Sequence, residues 1–130
     1  MARWLVKQEP DSYSFADLER DGGTAWDGVG NPLALKHLRA AAVGDEVFFY
    51  HTGKEKSVVG VAVVSRSMTA DEPLLLKPVR RLAVPVTLAA VKADERFADW
   101  ELVRLSRLSV MPVPATIWEA VLAMGKGGSV

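Results

Sequence analysis

The stretch EVFFYHTGKEKSVVGVAVVSRS, residues 46–67, holds two β-rich runs around a polar hinge. Glu46 to His51 is dense in aromatic and β-branched residues, the types that fit a pleated, half-buried surface. TGKEKS reads as a hairpin loop. VVGVAVVSRS reads as the partner strand, with Gly60 marking a bulge or a close backbone approach. A short hairpin makes its two strands antiparallel neighbours, whereas parallel neighbours need a long crossover. The remaining elements are read outward from this pair.

RWLVK, Arg3 to Lys7, is a buried first strand. One more strand is expected near residues 79–84, its extent restricted by Pro78 and Pro85. A last one is expected over Arg107 to Val113. Helices fit between. Ser14 with Asp17 three residues on gives a capping-box-like start for SFADLER, which Asp21-Gly22-Gly23 ends. Asn31 is a good N-cap and Pro32 suits a first helical position, so a helix opens there, with Leu35, Leu38 and Ala42 at helical spacing. Thr87 caps LAAVKAD. A final helix starts near Pro114 and runs through Ile117, Val121 and Met124. Trp26, followed by Asp27-Gly28 and then Asn31-Pro32, is expected at the entry to a helix rather than inside an element. Strands and helices do not alternate regularly. The expected class is α+β, with a mostly antiparallel, closed sheet flanked by short helices.

The chain has 130 residues, 49% apolar and 25% charged, which suits one domain over residues 1–125 with a flexible tail at 126–130. It has no cysteine, which excludes disulfides, thiolate zinc sites and cysteine nucleophiles. The apolar run near the N-terminus is too short for a signal peptide, and VVGVAVV is far too short to span a membrane. The expected setting is cytosolic or nuclear, with the cytoplasm favoured and no membrane partner. Formal net charge is zero, which counts against coating nucleic acid by phosphate attraction alone but not against gripping a single base. The clusters Lys77-Arg80-Arg81 and Arg104-Arg107 read either as solvated faces or as the lining of a groove.

The two histidines are His37, which reads as a surface residue mid-helix, and His51, which ends an aromatic strand. His51 reads as a base, a ligand donor or a satisfied structural histidine. No metal-ligand spacing, nucleophile elbow or phosphate-cradling glycine loop occurs, so no metal, no cofactor and no enzymatic activity are expected. What remains is a concentration of aromatic and amide groups: Trp26, Asn31, Phe48, Phe49, Tyr50 and His51. Aromatic faces stack on flat heterocycles, and an amide offers donor and acceptor to a base edge. At least one of the two phenylalanines is expected to serve packing alone.

Four motifs resemble the EVE-domain family, a branch of the PUA-like superfamily related to the YTH modified-RNA readers. They are WLVKQEP (4–10), WDGVGN (26–31), GDEVFFYHT (44–52) and RLSVMPV (107–113). The resemblance implies a PUA-like β-barrel flanked by helices. It also implies a non-enzymatic module that binds nucleic acid carrying a modified base, with modified cytosine in DNA the favoured class. In that picture Trp26 and Tyr50 are stacking walls, and Asn31, His51 and Thr52 bond to the base edge. Lys7 and Glu9 sit at or brace the pocket mouth, and Arg107 and Arg81 meet phosphates. The alternatives are an RNA-binding PUA-like module, or a base-acting enzyme using His51 with Asp27 or Glu9. The chain departs from the family pattern at Gly30, where Arg is usual, and at Pro32 and Leu33. Thr52 replaces Ser, and the connection MTADEP is short.

Overall fold

The computed structural model describes residues 2–126. Its six strands are β1 (Arg3–Gln8), β2 (Thr24–Trp26), β3 (Glu46–His51), β4 (Ser57–Arg66), β5 (Leu74–Thr87) and β6 (Val110–Pro112). They form one sheet in the order β2-β5-β4-β3-β1-β6. The expected hairpin is β3–β4, antiparallel from Glu46↔Val63 to His51↔Ser57. All pairings are antiparallel except β1–β3, where Lys7 lies opposite Tyr50 and Gln8 opposite His51. Ladder shifts in β4 and β5 curl the sheet, as bulges do. No pairing joins β2 to β6 among the described residues, so the curl is an open half-barrel rather than the closed sheet expected.

The helices start where their caps place them. Ser14 accepts from Asp17 N and the Asp17 carboxylate accepts from Ser14 N, a complete capping box for α1 (Phe15–Asp21). Gly22 ends α1 in the left-handed region, at φ 73°. Asn31 Oδ1 accepts from Leu33 N and Ala34 N at the head of α2 (Pro32–Ala40). Thr87 caps α3 (Leu88–Lys92) through Ala90 N. A 3-10 turn at Glu95–Phe97 and α4 (Glu101–Arg104) follow, and α5 (Ala115–Met124) starts after Pro114.

The differences from expectation have local causes. Trp26 does not stand at a helix entry: it closes β2, a three-residue strand paired with Leu74–Leu76 of β5. Flanked by Gly23 and Gly28, so short a run carries no alternation to read. β5 extends well beyond 79–84 despite its two prolines, because β2 covers its outer edge only at Leu74–Leu76 and leaves no N–H to be donated there by Pro78. The last strand keeps only residues 110–112, since Arg104 ends α4 and residues 105–109 turn. The tail expected at 126–130 lies, but for Lys126, outside the described residues.

The sheet has two covered faces, because successive side chains of a strand point to opposite sides. On one face Phe48 stacks on Trp118 of α5, ring centroids 3.8 Å apart. On the other, Phe49 meets Phe15 of α1 and Trp26 edge-on, at 5.5 and 5.6 Å. Both phenylalanines are fully buried, so both serve packing. Gly60 is a close approach and a bulge at once. A Cβ there would stand 2.6 Å from the Phe15 ring, and the β4–β5 ladder shifts beside it. Among the described residues no helix is long and apolar enough to cross a membrane.

Candidate functional site

The C-terminal ends of the parallel strands β1 and β3 lie side by side, and hollows open on both faces of the sheet around them. Lys7 and Gln8 are consecutive, so they point to opposite faces. Lys7 lines one hollow of about 240 Å³ together with Tyr50, Thr52, Lys56, Lys92 and Ser106. Its ammonium donates to Ser106 O at 2.9 Å and lies 5.6 Å from the centre of the Tyr50 ring. Burial lowers the Lys7 pKa from its ordinary value and pushes the Tyr50 phenol up to about 12. Tyr50 is therefore a neutral hydroxyl at any physiological pH. Thr52 donates to Glu9 Oε2 at 3.1 Å. Gly53, at φ 74°, lets that carboxylate lie close, since a Cβ would stand 2.9 Å from Glu9 Oε1. Lys7, Glu9, Tyr50 and Thr52 are thus brought together.

Gln8 lines the hollow on the opposite face, about 230 Å³, with Tyr13, Thr24, Trp26 and Asp27. Gln8 Oε1 accepts from Glu9 N at 3.0 Å, which fixes the amide and leaves Nε2 as a donor. The Tyr13 hydroxyl donates to Asp21 Oδ2 at 2.9 Å. The Asp27 side chain is exposed at the rim. Two aromatic side chains, Tyr13 and Trp26, one oriented amide donor and one carboxylate acceptor therefore share this small space.

A third hollow, about 360 Å³, is lined by Asn31, Leu33, Arg104, Leu105 and Arg107. It shares Ser106 with the Tyr50 hollow. The 106–109 segment between them is tied to β1, with Lys7 N donating to Ser109 O at 2.9 Å.

Several expected roles are redistributed by this layout. Trp26 packs against Phe49 and Tyr50 points the other way, so the two rings line different hollows and do not form two walls of one pocket. His51 is buried, and both of its nitrogens are engaged. Nε2 accepts from Phe15 N at 3.0 Å and Nδ1 meets Glu55 Oε1 at 2.9 Å. It caps α1 from the end of β3, on the face where Phe49 meets Phe15, and has no donor or acceptor left for a base edge. Asn31 gives its oxygen to the α2 cap and keeps only its amide N–H groups for other partners. Arg81 pairs with Glu19 at 2.7 Å and lies along a cavity of about 500 Å³ between β5 and α5, so it does not share a groove with Arg107. His37 packs against Trp4, centroids 5.7 Å apart, instead of standing free, and burial lowers its pKa.

Sequence reasoning passed over Gln8, Tyr13, Lys56 and Lys92. The signal for Gln8 was present in WLVKQEP, where alternation from Lys7 puts it on the Trp26 face. Asp45 was passed over too: it is buried and accepts from Trp4 Nε1 at 3.0 Å and from Ala42 N at 2.9 Å, locking α2 to β1.

The sequence pattern described as EVE domain matches residues 2–124. Human thymocyte nuclear protein 1 is 35% identical over 82 residues, which is 54% of this chain and 36% of that protein. The match thus spans about a third of the length of that curated relative. The Rhodopseudomonas palustris protein Rpa0253, solved by NMR, is 39% identical with a TM-score of 0.90, covering 100% of this chain and 97% of its own. Human THYN1 protein in complex with 5-methylcytosine containing DNA also superposes at a TM-score of 0.90, covering 99% of this chain and 100% of that one. At 24% identity this second likeness is one of fold.

Proposed function

Because the chain belongs to the EVE domain family, we propose that it is a non-enzymatic module that binds DNA and takes one modified cytosine, flipped from its strand, into the hollow beside Trp26. The observation that carries this reading is the juxtaposition of Trp26, the oriented Gln8 amide and the Asp27 carboxylate. Cytosine presents an exocyclic amine as donor beside ring acceptors. Asp27 suits the amine, and Gln8 Nε2 suits the ring acceptors. A hollow of about 230 Å³ is smaller than the usual ligand cavity of roughly 300–1,000 Å³, which favours a single base over a larger ligand. A complex of human THYN1 with 5-methylcytosine DNA exists on this same fold, which supports the ligand class. The Tyr50 hollow, with Lys7, Lys56 and Lys92 around it, then serves the sugar-phosphate chain, and Arg107 meets a phosphate on the neighbouring rim.

The test is fluorescence anisotropy with matched oligonucleotides. Trp26→Ala removes a stack worth about 1–3 kcal/mol, a loss of roughly 5- to 150-fold. Gln8→Ala leaves the fold intact and narrows the preference for cytosine over thymine. The 5-methyl group adds about 0.8 kcal/mol if it is buried, so 5-methylcytosine gains roughly fourfold over cytosine. Unchanged affinity in Trp26→Ala would sink the reading. Tighter binding of the matched RNA would move the ligand to RNA, and turnover of the oligonucleotide by mass spectrometry would make the protein an enzyme.

A further inference from the structure

Leu33 and Leu105 are the two apolar side chains left exposed on the Asn31 hollow, at 40% and 38%. Arg104 and Arg107 line the same hollow, and among the described residues neither makes an ion pair. Arg104 donates its Nε to Asp99 O at 2.8 Å, which leaves its two terminal nitrogens for an anion, and among the described residues the Arg107 guanidinium has no side-chain partner. Two exposed leucines beside these cations are a poor match to water. They suit a partner whose interior is stacked and apolar and whose edges are anionic, which describes the base stack of a duplex between its phosphate rails.

We propose that Leu33 and Leu105 form a wedge that enters the base stack of duplex DNA beside the flipped nucleotide, while Arg104 and Arg107 hold the flanking phosphates. This rests on the base-reading function above and names how that site gains access to a paired base. Flipping leaves a gap that costs unstacking energy, and an apolar side chain placed in the gap offsets it.

The placement fits. Asp27 on the rim of the base hollow and Asn31 on the rim of this one are four residues apart, at most about 14 Å even in an extended chain. Both leucines sit on held backbone. Leu33 lies in the first turn of α2, where its N–H is bound by Asn31 Oδ1. Leu105 closes α4, its N–H donating to Glu101 O at 2.7 Å. The neighbouring segment is fastened to Lys7 through Ser106 O and Ser109 O, one residue from Gln8. The wedge and the base hollow are therefore both anchored at the end of β1.

The experiment compares the full chain with the double variant Leu33→Ser/Leu105→Ser and with the milder Leu105→Ala. Three DNA ligands carry the same 5-methylcytosine strand: a paired duplex, that strand alone, and a duplex with an abasic site opposite the modified base. For the double variant the expected result is at least a tenfold weaker affinity for the paired duplex. Less than a twofold change is expected on the other two, where no pair has to be broken, and Leu105→Ala falls between. A 2-aminopurine placed next to the modified base brightens with the natural chain and not with the double variant. Equal losses on all three ligands, or no loss on the paired duplex, overturn the wedge. If the natural chain binds the single strand but not the duplex, the wedge falls and the base hollow stands. If it binds none of the three, both fall.

Discussion

His51 spends both ring nitrogens inside the protein, and that fixes what its loss would do. Its Nε2 accepts the first N–H of α1, a group that no earlier turn can satisfy, and its Nδ1–H faces Glu55. Replacing it by Ala leaves the Phe15 N–H buried without a partner, which costs about 1–3 kcal/mol. His51→Ala therefore lowers the unfolding free energy from urea titration by that amount, while affinity for the modified oligonucleotide changes less than twofold at a temperature where the variant is folded. An affinity loss without a stability loss would return His51 to the ligand. Its neighbour Gln8 illustrates the opposite case. A single internal bond, from Glu9 N, orients the amide and leaves its other end unspent, which is what a reading group requires. The difference between the two residues is invisible in their types. It comes from which hydrogen-bonding groups the folded backbone brings within reach.

At the scale of elements, β4 and the helix packed on it set each other's positions through one missing side chain. Phe15, the first residue of α1, lays its ring on Gly60, where a Cβ would stand 2.6 Å from ring carbons. Gly60→Ala forces the ring or the strand to move. Overpacking of this kind costs about 1–3 kcal/mol, and the variant should unfold at correspondingly lower denaturant, with a matching loss in near-UV dichroism. A variant as stable as the natural chain would mean that α1 is free to shift. The glycine was legible as a bulge or a close approach, and so were the β3–β4 hairpin, the Ser14 and Asn31 caps and the helix after Pro114. All of these rest on contacts a few residues apart, where local sequence carries the signal. β2 was not legible, because its three residues gain their strand conformation from Leu74–Leu76, some fifty positions away. The length of β5 was hidden for a related reason. Its prolines argue against a central strand, and only the pairing pattern shows that, among the described residues, no strand pairs with its outer edge past Leu76.

Over the whole molecule, the sheet itself is the partition that sequence reading could not see. Trp26 and Tyr50 were expected to face one another, but the alternation of Phe49 and Tyr50 along β3 sends them to opposite sides. The site is consequently a rim with a hollow on either face of one strand end, and a nucleic acid has to straddle it. Net charge is zero, so no long-range field draws a polyanion to that rim, and affinity has to come from the few cations placed there. Gly30 marks where another cation has room. It is exposed in the loop between Trp26 and Asn31, and nothing lies within 4 Å of a Cβ built on it. Gly30→Arg is therefore expected to fold as well as the natural chain and to add one phosphate contact between the base hollow and the leucine pair. One added contact steepens the dependence of log affinity on log salt by about 0.9 on a duplex. The preference for 5-methylcytosine over cytosine stays as it was, because a phosphate contact reads no base. Titrations at two salt concentrations measure both quantities at once. An unchanged salt slope would place the bound phosphates away from residues 27–31, and would move the rim of the binding surface to the Tyr50 side of the sheet.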